Sequence, residues 1–209
     1  MSSGWWPWAA LVLLGAYHGV NPGMGWLFAV ARGLQEKSRQ AVLGSLLPIA
    51  IGHEASIVVV VVVVSLTEQF IPPVFVRLLA ALVLISFGLY KLARPRTHPG
   101  GFGMRMGFGG LATWSFLMSS AHGAGLMLAP VLLGLPVYAT YHSLSEISLQ
   151  AVAAASLHVT AMLIVMGVVS MVVYEKVGLG ILRRGWFNLD LGWSIVLIAS
   201  GAVTLFTAL

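Results

Sequence analysis

The chain has 209 residues, 59% of them hydrophobic and only 8% charged, with a mean hydropathy of +0.96 and a formal net charge of +5. A soluble domain of this size carries about a quarter charged residues, so the composition excludes water as the main solvent and points to lipid. The absence of cysteine excludes disulfide frameworks, thiol redox chemistry and thiolate metal sites.

Alternating ten-residue apolar patterns, the mark of a membrane barrel, are absent, and helices are the other way to satisfy a backbone in hydrocarbon. Six spans follow in chain order, at roughly 5–31, 41–66, 73–93, 108–134, 146–173 and 188–208, each long enough to supply the ~20 helical residues needed to cross a bilayer. Trp5, Trp6 and Trp8 open the first as an interfacial aromatic belt. NPGMG interrupts it, since Pro22 removes a backbone donor and Gly23 and Gly25 loosen the helix. That break is expected to free carbonyls beyond His18, with Asn21 on the same face. Pro48 repeats the device ahead of His53 in the second span. Glu54 is the one acid deep within a span, a candidate for proton coupling or cation attraction, with Arg77 as a distant counter-charge. The run from Ile57 reads as a lipid-facing wall. Pro72-Pro73, RPRTHPGGFG from Arg94, Pro136, and Gly178 with Gly180 punctuate the connections.

Ten of the eleven Lys and Arg fall in the first, third and fifth connections, and Arg77 is the eleventh. Basic loops lie inside, so both termini are expected outside the cytoplasm, in a bacterial inner membrane. Dispersed in this way, the charges mark topology rather than a nucleic-acid surface. No phosphate-binding loop, nucleophile elbow or metalloprotease motif suggests an enzyme.

Four histidines sit roughly 18–21 Å into their spans at 1.5 Å per residue. His18 and His122 are each followed by glycine and lie 104 residues apart; His53 and His158 lie 105 apart. The paired offsets predict an all-α integral membrane protein of six helices built as two inverted three-helix repeats, about 5–93 and 108–208, in one transmembrane domain with a midplane site. Imidazole is the commonest ligand for borderline metals, so His18, His53, His122 and His158 are expected to converge on a transition metal or a proton path. Met24, Met118 and Met127 offer thioethers, Met24 being the nearest in sequence to the broken helix. His98 and His142 fall in loops and read as surface residues.

The segment HGVNPGMG, His18 to Gly25, resembles the HxxEPGHG-type motif in the first span of bacterial nickel/cobalt exporters, within the LysE-like superfamily of six-span exporters. GHEAS at His53 is similar to that family's second-span motif. The resemblance covers about residues 14–60 and implies metal handling by His18 and His53. Asn21 stands where the motif has Glu, Met24 where it has a second His, and Trp26 where a Lys commonly follows. The reading that results is an exporter of a small cation, a transition-metal ion foremost, with the lipid bilayer as its surroundings and a homo-oligomer left open. Two alternatives stand beside it: a membrane protein whose histidines ligate haem, and an exporter of an amino acid or other organic solute bound through His18, Asn21 and Glu54.

Overall fold

The computed structural model describes residues 4–93, 106–125, 127–128, 144–177 and 189–208. Among them are seven α-helices and no strand. They are α1 (Trp6–Val20), α2 (Trp26–Glu36), α3 (Arg39–Glu68), α4 (Pro73–Ala93), α5 (Phe108–His122), α6 (Leu144–Val172) and α7 (Leu189–Ala208). A 3-10 turn, Pro22–Met24, joins α1 to α2, and a π-helical turn, Val173–Val177, ends α6.

Among the described residues, three segments are long and apolar enough to cross a membrane: Arg39–Val64, Val74–Ala93 and Val152–Lys176. A shorter apolar stretch, Ser194–Phe206, lies in α7. The segments expected to be the first and fourth spans are instead interrupted. Span one becomes α1, the 3-10 turn and α2, because Pro22 cannot donate to the helix and Gly25 takes a left-handed φ of 119°. In span four, α5 stops at His122, where Gly123 turns left-handed at φ 70°. His98 and His142, and the connections holding Arg94, Arg96, Arg105, Arg183 and Arg184, lie outside the described residues.

The burial pattern is inverted relative to a water-soluble bundle. On α3 the stripe Leu43, Leu47 and Ile51 is exposed, while Ser45, Ile49, His53 and Ser56 are buried. Such a pattern is compatible with a lipid surrounding, which tolerates outward apolar side chains while polar groups turn inward. The valine run follows the same rule at Val58, Val59, Val62 and Val63, but Ile57 itself is fully buried. Lys91, expected in a loop, is also buried, within the last turn of α4, with its ammonium 5.8 Å from the centre of the Phe87 ring.

Glycines set the helix pairs. A Cβ on Gly15 or Gly19 of α1 would strike the carbonyl of His158 or Met162 on α6. One on Gly52 of α3 would strike the carbonyl of Ala112 on α5. In both pairs the register advances together, so α1 runs parallel to α6 and α3 parallel to α5. The pairing of α4 with α7 is antiparallel and internally matched: Gly88 meets Ser194 and Ile198, while Gly201 meets Ala81 and Ile85. Small residues allow such close backbone approach, which in lipid replaces hydrophobic burial as the source of helix association.

This packing makes two alanine substitutions diverge in sign. Gly52→Ala forces backbone apart and is expected to destabilise by about 1–3 kcal/mol. Gly44→Ala, on the same helix with nothing within 4 Å of the new methyl, is expected to raise stability by up to ~1 kcal/mol through helix propensity. Thermal unfolding of the two purified variants against the parent is the check.

Candidate functional site

Three of the four buried histidines are held by a backbone carbonyl. His18 occupies the last turn of α1, and its Nδ1 lies 2.6 Å from the carbonyl of Leu14, one turn earlier. His122 occupies the last turn of α5 with its Nδ1 2.7 Å from the Met118 carbonyl, the same arrangement. His158 on α6 reaches across to α1, its Nδ1 3.1 Å from the Leu11 carbonyl. A carbonyl only accepts, so Nδ1 carries the proton in all three, and in the neutral rings Nε2 holds the lone pair. His53, in the middle of α3, has both ring nitrogens buried with no hydrogen-bond partner among the described residues.

These helices bring three of the four rings together. His18, His53 and His158 are each fully buried, and each offers a nitrogen within 4.8 Å of the others. The rings of His53 and His158 stack at 5.7 Å with 13° between their planes, and His18 stands edge-on to both, at 5.3 and 4.8 Å. His122 stands at the border of this group. It is near enough that a charge on it would oppose one on His18 or His53, and its Cε1 would lie 3.8 Å from a Cβ on Gly23. The sequence expectation of four converging histidines therefore becomes a triad with a neighbour. The triad's donor set, three imidazoles with nitrogen lone pairs and no carboxylate, is that of a borderline transition metal, and Nδ1–H bonds to carbonyls are the usual orienting partners of such ligands.

The broken helix does not free its carbonyls as the proline pattern suggested. The His18 carbonyl accepts from Asn21 N at 3.1 Å, and the Asn21 carbonyl accepts from Met24 N at 3.0 Å. The Val20 carbonyl accepts from the indole Nε1 of Trp26 at 3.0 Å. Trp26, read in the sequence only as a departure from the exporter motif, thus closes the break. Asn21 is buried, with its side-chain oxygen accepting from Gly23 N at 2.9 Å, so it shapes the turn. Met24, Met118 and Met127 are all buried, Met24 and Met127 within the apolar core. Met118 also faces the turn, its Cε 3.5 Å from where a Cβ on Gly23 would be.

Glu54 is half-buried, and its Oε2 has no partner among the described residues. Arg77 does not pair with it: the ion pairs among the described residues are Arg32–Glu36 and Arg39–Glu175. Sequence reasoning passed over the serines. Ser115 of α5 donates to the Ile49 carbonyl of α3 at 2.7 Å, Ser56 and Ser120 share a hydrogen bond of 2.9 Å, and Ser119 is fully buried. Their spacing on α5, one turn apart and leading to His122, was the available signal.

In comparisons with known proteins, no family model, curated protein or solved structure matches the chain. The class defined by the fold and the site is accordingly a helical protein with membrane-length apolar segments and a buried three-histidine cluster.

The Trp26 cap yields a direct expectation. Trp26→Phe keeps an aromatic ring but strands the Val20 carbonyl, and should destabilise by about 1–3 kcal/mol. Thermal unfolding measures this loss, and an unchanged midpoint would mean that the break closes by other means.

Proposed function

We propose that the protein is a membrane transporter that carries a transition-metal ion through the site formed by His18, His53 and His158. The observation that carries this reading is the mutual approach, within 4.8 Å, of ligand atoms from three different helices, all fully buried. A bound ion would take one nitrogen from each ring at the ~2.0–2.1 Å of an imidazole–metal bond. His122 is the neighbour through which the ion arrives or leaves, and Glu54 draws cations toward the cluster.

The helix ends support cation specificity. His18 lies in the C-terminal turn of α1 and His122 in that of α5, and the 3-10 turn following α1 packs against the latter. C-terminal helix ends carry partial negative charge, so two of them meeting at one place favour a cation over an anion. The tightness of the triad argues against haem. A macrocycle between any two of these rings would occupy the position of the third, given the 4.8 Å limit on all three separations. An organic ammonium ion would find no carboxylate in the triad to pair with.

The architecture proposed for this transport is six spans in two inverted repeats. Its support is the exchange of partners: α1 lies parallel to α6 while α5 lies parallel to α3, as spans one with five and four with two should under a two-fold axis in the membrane plane. The α4–α7 contact maps onto itself when Gly88, Ser194 and Ile198 exchange with Gly201, Ala81 and Ile85. Rocking of one repeat against the other then opens the site alternately to the two sides. The likeness of HGVNPGMG to nickel/cobalt exporters fits this assignment, with Met24 and Asn21 as the points of difference.

Metal titration of the purified protein with elemental analysis tests the assignment. One ion per chain is expected, with affinity falling at least tenfold in His18→Gln, His53→Gln or His158→Gln, since loss of even an outer-shell partner of a ligand typically costs about 10–100-fold. Binding should also weaken as pH falls, because protons compete for the imidazole lone pairs. Met24→Leu should bind normally. Retention of binding in all three histidine variants would sink the site.

Orientation has its own test in a chain free of cysteine. In Lys37→Cys, Arg96→Cys and Arg184→Cys, the new thiol should resist an impermeant reagent in intact cells and react after lysis. Labelling of all three from outside would reverse the topology.

A further inference from the structure

We infer that the protein carries an anionic-phospholipid site at the end of the bundle where α2 turns into α3, separate from the histidines. There, a cavity of about 500 Å³ is lined by Leu34, Lys37, Arg39, Tyr174, Glu175 and Lys176. Its walls come from three elements packed closely together. Gly33 of α2 lies against Val42 of α3 and against the ring of Tyr174 in the π-helical turn. Three cations face one carboxylate, and that carboxylate is already engaged, with Glu175 Oε1 3.0 Å from Arg39 Nε.

Backbone features place these cations. Lys37 caps α2 in a left-handed conformation, φ 48°, the one such non-glycine residue among those described. A lysine gains nothing from that conformation over Asn or Gly, so its presence there is unexplained by the turn. Ser38 then starts α3, its Oγ accepting from Ala41 N, and the positive end of a 30-residue helix opens beside the cavity. On the other wall α6 leaves α-helical geometry for a π turn over Val173–Val177, a device found mostly at functional sites.

The choice of a lipid over a free anion rests on what lies below the cavity. Arg39 heads the exposed stripe Leu43, Leu47 and Ile51 on α3. Val172, Val168 and Ile164 form the corresponding exposed stripe on α6, running up to the π turn that holds Lys176. Both stripes suit acyl chains, and both end at cations at headgroup level. A phosphodiester held by Lys37, Arg39 and Lys176 with its chains along these stripes satisfies the charge and the apolar surface together, as basic pockets between membrane helices do.

Full-length protein in phosphatidylcholine nanodiscs, titrated with short-chain phosphatidylglycerol, short-chain phosphatidylcholine or inorganic phosphate, tests the inference by thermal shift. A saturable rise in melting temperature with phosphatidylglycerol only is expected. Lys37→Asn, which suits the left-handed backbone, Arg39→Gln and Lys176→Gln should each lower apparent affinity by roughly fivefold. Arg32→Gln, on α2 but not among the residues that line the cavity, should leave it unchanged. Should Lys37→Asn or Arg39→Gln fail to fold, Lys176→Gln, at an exposed position, still decides the matter. An equal response to inorganic phosphate, equal losses with Arg32→Gln, or an undiminished response in the Lys176 variant would each overturn the site.

Discussion

Inside a bilayer no water stands ready to satisfy a polar group, and this one constraint accounts for the carbonyl anchors of His18, His122 and His158. An imidazole left facing hydrocarbon would forfeit its hydrogen bonds at a cost of several kcal/mol. The protein answers by anchoring Nδ1 of His18, His122 and His158 to carbonyls of Leu14, Met118 and Leu11. Each anchor fixes a tautomer and a ring direction, and thereby determines where the remaining nitrogen points. Two rings of the triad, His18 and His158, are set by these bonds, and His53 completes it from the middle of α3 with neither nitrogen bonded among the described residues.

Close approach of the helices is the second requirement, and glycine supplies it. The His158–Leu11 bond spans α6 and α1 only because Gly15 and Gly19 let those backbones touch. On the other side, Gly52 lets α5 come near enough for Ser115 to reach the Ile49 carbonyl, one turn before His53. Packing and site are thus one set of contacts: a methyl added at Gly15 displaces the backbone of His158 itself.

Much of this was legible in the sequence, for identifiable reasons. Histidines are rare in apolar spans, so offsets of 104 and 105 residues stood out, and three of the four residues they marked meet. The break at NPGMG was readable because proline lacks a donor whatever its surroundings. What was not legible depended on partners distant in sequence or on geometry within a turn. The Trp26 indole closing the Val20 carbonyl is a contact across six residues that no helical periodicity encodes. His122 stands beside the triad rather than in it, because Gly123 ends α5 immediately after it and the turn at Gly23 packs against its ring. Lys91 was assigned to a loop by counting charges, whereas α4 continues past it and covers it. The serines of α5 were hidden by their small size and weak polarity, although they line the interface that positions His53.

X-ray absorption spectroscopy of the metal-loaded protein addresses the central claim most directly, because it reads the ligands of the ion rather than the consequences of binding. The account predicts a shell of three imidazole nitrogens, with the multiple scattering of histidine rings and metal–nitrogen distances near ~2.0–2.1 Å for a zinc-like ion. That signature should drop to two imidazoles in His53→Gln. A shell of oxygen donors without imidazole scattering, or one unchanged by the His53 substitution, would contradict it.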